Sequence, residues 1–179
     1  ITHAGLWHSV DPEIVWVNSE TASPEEIDRT LRRVSGVVIP PGFGPRGTEG
    51  KILAATFARE HNIPLLGLCY GMQMMVIEAA RNLCGLEGAN STEVDPETPH
   101  PVIDLMPDQQ GVDMCGTMRL GLWPCRLEPG TKAASAYGEP IVSERHRHRC
   151  ELNNTYRAAL ADAGLIVSGA SPDGQLAEI

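Results

Sequence analysis

The apolar run Leu65-Leu66-Gly67-Leu68 passes straight into an amphipathic stretch from Gly71 to Leu83, through the junction Gly67-Leu68-Cys69-Tyr70-Gly71. No other part of the chain restricts its fold as much. A buried strand that turns at once into a helix belongs to α/β architecture. Glycine two residues before and two after Cys69 permits a sharp turn that carries a nucleophile in a strained backbone, the thiol counterpart of a Gly-x-Ser-x-Gly elbow. The sulfur would project at the carboxyl edge of the sheet, where ligand sites of α/β folds lie. The following helix N-terminus is expected to lower the thiol pKa, and its first N–H groups can bind a developing oxyanion. A buried structural cysteine beside a glycine-rich turn is the competing reading, because free cysteine is commonly buried. The local pattern leaves both open.

The first half continues the strand–helix alternation. Ile14-Val15-Trp16-Val17 reads as a short buried strand. Ser23-Pro24-Glu25-Glu26 reads as a helix start, with Ser23 as N-cap, Pro24 at the first helical position and Glu26 closing a capping box. Gly36-Val37-Val38-Ile39 is a second strand ending in the turn Pro40-Pro41-Gly42-Phe43-Gly44. A helix from about Glu49 to Glu60 carries Ile52, Leu53 and Phe57 inward. On the helix from Gly71 to Leu83, the apolar stripe is Met72, Met75, Val76, Ala79 and Leu83. The expected fold is α/β and three-layered, a mostly parallel central sheet flanked by helices, flavodoxin-like, in one domain over residues 1–179.

The second half differs in texture. From Asn90 to Pro107 the chain is rich in Pro, Asp, Glu and Thr and reads as an extended surface excursion. Met118 to Trp123 and Ile141 to Ser143 read as antiparallel additions. Asn154 to Ala163 reads as a helix capped by Gly164. Leu165-Ile166-Val167 and Leu176 to Ile179 read as a closing hairpin. A start at Ile1 and an end at Ile179, inside an expected strand, read as interior cuts.

A net charge of -9 disfavours nucleic acid and anionic lipid as partners. No apolar run approaches the roughly 20 residues of a membrane helix. The five cysteines, Cys69, Cys84, Cys115, Cys125 and Cys150, are odd in number and contain no CxxC pair. That argues against a disulfide framework or zinc ribbon and for a cytoplasmic setting.

Beyond Cys69, four segments matter: Pro40 to Gly47, Asn90-Ser91-Thr92-Glu93, Gly116-Thr117-Met118-Arg119-Leu120-Gly121, and the run from Arg145 to Asn154. With the Cys69 junction, and in this order over nearly the whole chain, they resemble the class I (triad) glutamine amidotransferase domain of CTP synthase. The resemblance implies that Cys69 attacks the side-chain amide of glutamine, giving a thioester and ammonia. It places Gly42 and Tyr70 in the oxyanion hole, with Pro41 as the uncertain position. It places Gly42, Tyr70, Gly71, Met72, Gln73, Glu93 and Arg149 around the glutamine, Glu93 at the α-ammonium and Arg149 at the α-carboxylate. No metal or cofactor is implied in this domain. ATP and magnesium belong to a separate amidoligase domain, which phosphorylates UTP and aminates it to CTP, in a homo-oligomer expected to be a tetramer.

Read by themselves, Arg145 to Arg149 form a solvated basic strand and Glu93 a surface carboxylate. The chain also departs from the family. The catalytic His and Glu, spaced His-Pro-Glu, are absent; His100-Pro101 is followed by Val102. Without an imidazole, general acid–base help of about 10²–10⁴-fold is missing, so the chain alone is expected to be nearly inactive. Pro41-Gly42 replaces Gly-Gly, and proline has no N–H to donate. Cys115 stands for glycine and Cys150 for tyrosine. A degenerate pseudo-glutaminase serving assembly or regulation is therefore the alternative function. A peptidase-like or γ-glutamyl hydrolase is a third, opposed by Gln73, Glu93 and the basic cluster.

Overall fold

The computed structural model describes residues 1–106 and 119–179. Cys115, the start of the strand expected from Met118, and the segment Gly116 to Met118 lie outside the described residues.

Helix α1 (Thr2–Trp7) is followed by α2 (Pro24–Leu31), whose start follows the sequence: the Glu26 N–H donates to Ser23 Oγ at 3.2 Å, with proline in the first turn. Strand β1 (Val37–Ile39), helix α3 (Thr48–Glu60), strand β2 (Leu65–Gly67) and helix α4 (Tyr70–Asn82) come next, and β1 and β2 pair in parallel. Ile27 and Leu31 of α2 pack with Phe57 of α3, under Val17, Val34 and Val37.

Residues 14–17 form no strand. Ile14, Val15 and Trp16 are exposed, Trp16 by 86%. A strand needs a ladder as well as an apolar run, and among the described residues β1 pairs only with β2. Only Val17 of the run packs inward, on the cluster of α2 and α3.

The segment after α4 is also more deeply placed than its polarity suggests. It holds β3 (Asn90–Ser91) and β4 (Pro101–Leu105), with Ser91, Val102 and Ile103 fully buried. Polar side chains hide this in the sequence because they serve turns: Thr98 Oγ1 donates to Gly88 O, and Thr92 Oγ1 to Asp104. Strand β4 runs parallel to β3 and antiparallel to β7 (Cys150–Leu152).

The antiparallel additions form as expected and extend further. Strand β5 (Arg119–Leu127) pairs along its length with β6 (Ile141–His148), with α5 (Lys132–Tyr137) between them. The expected terminal helix begins as a 3₁₀ turn, Asn154–Tyr156, before α6 (Arg157–Asp162). The closing turn forms with its first arm shifted: residues 168–171, not 165–167, hydrogen-bond back to residues 176–179, with a bridge from Ala170 to Ala177, while β8 (Gly169–Ala170) joins β5. The α/β class therefore holds, with parallel pairs at β1–β2 and β3–β4 and antiparallel pairing elsewhere, in three small sheets among the described residues.

Helix α4 is the centre of the core. Tyr70, Met74, Ile77 and Ala80 pack with Val102 and Ile103 of β4, Leu152 of β7 and Leu160 of α6. The sequence stripe is thus displaced by about one position. Met72 and Met75 are half-buried and Leu83 is 41% exposed, although Val76 and Ala79 are buried as expected. Two buried polar residues disguised the true face. Gln73 lies on it, and Glu78 is held by Arg59 of α3 at 2.9 Å.

One face of the β1–β2 pair is open. Val38, Leu66 and Leu68 line a groove of about 450 Å³ with Ala4, Val10 and Pro12. Among the described residues, no helix is long and apolar enough to cross a membrane.

Candidate active site

Cys69 sits between β2 and α4 with φ 55 and ψ -108, a left-handed-side backbone that non-glycine residues rarely adopt. The flanking glycines explain why the turn can close. A Cβ on Gly67 would lie 2.6 Å from both the Gly71 carbonyl oxygen and the Met75 sulfur, and a Cβ on Gly71 would overlap the Ile39 carbonyl. The last residue of β1, the last residue of β2 and the first turn of α4 therefore touch backbone to backbone. Gly71→Ala should destabilise the fold by about 3 kcal/mol, since overpacking against main chain leaves no side chain to yield. Thermal unfolding should show a drop of roughly 6–12 °C; a drop under about 2 °C would mean that the backbone parts easily here.

Cys69 is exposed, whereas Cys84 is half-buried and Cys125 and Cys150 are buried. Burial pushes the Cys125 and Cys150 thiols up to about 11, so neither supplies thiolate near neutral pH. The Cys69 thiol is also raised, contrary to the lowering expected from a helix N-terminus. Partial desolvation in the elbow is the largest cause, and the charges of Glu151 and Glu93 add to it. The Tyr70 N–H, hydrogen-bonding the sulfur, acts in the opposite direction but does not prevail. Among the described residues, no imidazole figures in these influences.

Tyr70, the residue after Cys69, is almost fully buried. Its hydroxyl donates to the Gly44 carbonyl at 2.6 Å and shares a 2.9 Å hydrogen bond with Thr48 Oγ1. Burial raises the Tyr70 pKa, which keeps this phenol a donor. The loop 40–44 is thereby tied to the elbow, with Gly42 over the Tyr70 ring. Glu93 joins from the turn after β3: Gly44 N–H donates to Glu93 Oε1 at 2.9 Å. Cys69, Tyr70, Gly42 and Glu93 thus meet at the carboxyl ends of β1 and β2, where an α/β sheet binds ligands.

The remaining predicted residues are placed differently. Gln73 is turned into the core, its Nε2 donating to the Cys150 carbonyl at 3.2 Å, while its Oε1 is buried without a partner among the described residues. Gly71 is buried and Met72 half-buried, so both shape the turn more than they face solvent. Arg149 lies at the break between β6 and β7, its carbonyl accepting from Met106 N–H. Its Nε is buried and has no partner among the described residues.

One cluster escaped the sequence reading. Arg119 Nη2 contacts Glu178 Oε1 at 2.5 Å, Arg119 Nη1 lies 3.6 Å from Glu151 Oε1, and His146 Nε2 lies 3.2 Å from Glu178 Oε2. All are largely buried, so the basic run is not simply a solvated strand. Arg119 and Glu151 sit in the segments singled out above, but nothing in the sequence links either to Glu178. Among the described residues, no group of three metal-ligating side chains converges.

The profile of the family described as Glutamine amidotransferase class-I matches residues 1–179. The chain belongs to that family. Amidotransferase relatives of high similarity include proteins named CTP synthase from Thermomicrobium roseum, 68% identical, and Rubrobacter xylanophilus, 61% identical. Each match takes in all of this chain but only 32% and 33% of the relative. This amidotransferase chain therefore spans about a third of the length of the curated relatives it matches. A solved structure described as the Trypanosoma brucei CTPS glutaminase domain with bound acivicin superposes with a TM-score of 0.88 at 38% identity, covering 94% of this chain and 66% of that one.

Proposed function

We propose that this domain hydrolyses the side-chain amide of glutamine and that, in the longer protein, the ammonia aminates UTP to CTP at the expense of ATP. The observation that carries the reading is Cys69: the exposed thiol among the described cysteines, strained at the carboxyl end of β2, with the Tyr70 N–H directed at its sulfur. The thiolate adds to the amide carbonyl, and the negative charge formed on oxygen is met by backbone N–H groups. The C–N bond then breaks, ammonia leaves with a proton, and water cleaves the thioester to glutamate. Arg149 Nε, without a partner among the described residues, is suited to the α-carboxylate and the Glu93 carboxylate to the α-ammonium.

The raised thiol needs a base, and among the described residues no imidazole bears on Cys69. The base is accordingly assigned to the part of the protein outside these 179 residues. Glutamate release is the test, measured on this chain and on the longer polypeptide. Release by the longer protein, at least about 100-fold faster, supports the assignment; equal rates would give the role to His146 or His148. The absent N–H of Pro41 favours a second reading, a non-catalytic module. In that case both chains stay silent, and an electrophilic glutamine analogue leaves Cys69 unlabelled.

A further inference from the structure

The loop 40–44 has few means of holding its shape. Pro41, Gly42 and Phe43 are exposed, Phe43 by 85%, so apolar packing does not fix its tip. Pro40 and Pro41 carry no N–H. What anchors the loop is Gly44, which has φ 71, a conformation that suits glycine, and is held at both of its peptide groups. Its carbonyl accepts from Tyr70 and its N–H donates to Glu93. That leaves the N–H groups of Gly42 and Phe43 as the loop donors without a partner among the described residues.

Glu93 is itself well founded. Its N–H donates to the Oγ of Ser91, which is fully buried at the end of β3. Only one carboxylate oxygen is used by Gly44, and an ionised carboxylate has about four acceptor sites, so the group can take an ammonium without releasing the loop.

We propose that Glu93 is a positioning residue for the oxyanion loop, latching Gly44 while the same carboxylate receives the substrate α-ammonium. This rests on the glutaminase reading above. Substrate recognition and loop order then share one side chain. A docked ammonium also offsets one of the two negative charges, those of Glu93 and Glu151, that bear on the Cys69 thiol.

Two substitutions in the complete protein separate the roles. Glu93→Gln keeps an amide oxygen for the Gly44 N–H but loses the charge; Glu93→Ala loses both. Glu93→Gln should raise the KM for glutamine roughly 100-fold with kcat within about 3-fold of wild type. Glu93→Ala should raise KM similarly and lower kcat a further 10- to 100-fold, by roughly the worth of a charge-assisted hydrogen bond. Equal kcat values for the two variants would overturn the latch. Exchange of the Gly44 amide proton reports on the latch without any turnover. It should be protected in wild type and Glu93→Gln and lose protection in Glu93→Ala; an unprotected amide in wild type also overturns the proposal. If the amide is protected but Cys69 resists the electrophilic glutamine analogue, the latch stands as structure and its catalytic role falls with the glutaminase reading.

Discussion

Cys69→Ser in the complete protein should abolish glutamine-dependent CTP formation while leaving formation from added ammonia nearly intact. Loss of a nucleophile costs about 10⁴-fold or more in kcat, because no other group can form the covalent intermediate. The selectivity of the effect matters more than its size. Serine is close in volume to cysteine and sits in the same strained turn, between Gly67 and Gly71, so the backbone contact of the two strand ends with α4 is preserved. On the proposed function, ammonia-driven synthesis would rely on the remainder of the protein and require only that this domain stay folded. Parallel loss of both activities would show that Cys69 serves the fold, and the nucleophile assignment would fail.

Arg119→Met should lower stability by about 3–5 kcal/mol, the usual cost of removing one partner from a buried ion pair. For a chain of this size that is a fall in the thermal midpoint of roughly 6–20 °C. Arg119 reaches Glu178 and Glu151, both nearly inaccessible, and lies 4.8 Å above the Trp123 ring. Methionine would retain part of the packing on Trp123 but leave Glu178 without a guanidinium. The double change Arg119→Met with Glu178→Leu should recover most of the loss, since apolar replacement of a buried pair is often neutral or stabilising. A single variant that unfolds within about 2 °C of wild type would mean that water reaches these carboxylates and the cluster contributes little.

What was legible followed from backbone rules. The Ser23-Pro24-Glu26 start, the β1-to-Pro40 turn and the glycines around Cys69 are local signals with steric or hydrogen-bond causes, and each holds. The failures have a common origin in tertiary pairing. Ile14 to Val17 has strand composition but no ladder. The polar segment containing β3 and β4 is buried because its hydroxyls find acceptors, Thr92 in the Asp104 carboxylate and Thr98 in the Gly88 carbonyl. On α4 the face was misread because Gln73 and Glu78 look solvent-facing until Cys150 and Arg59 are placed beside them. At the site, Cys69, Gly42, Tyr70 and Glu93 could be named from motif order, yet the direction of the Cys69 shift could not. It is set first by how far the folded elbow desolvates the thiol, with a smaller contribution from two carboxylates 24 and 82 residues further along the chain.

The open face of β1 and β2 bears on practical handling. Val38, Leu66 and Leu68 present branched hydrocarbon to solvent beside Val10 and Pro12. Patches of this kind govern colloidal behaviour more than they govern folding. An engineer wanting the domain as a free-standing unit would therefore begin with its solubility. Threonine at 38 and lysine at 66 would make this side wettable without touching the elbow that holds Cys69.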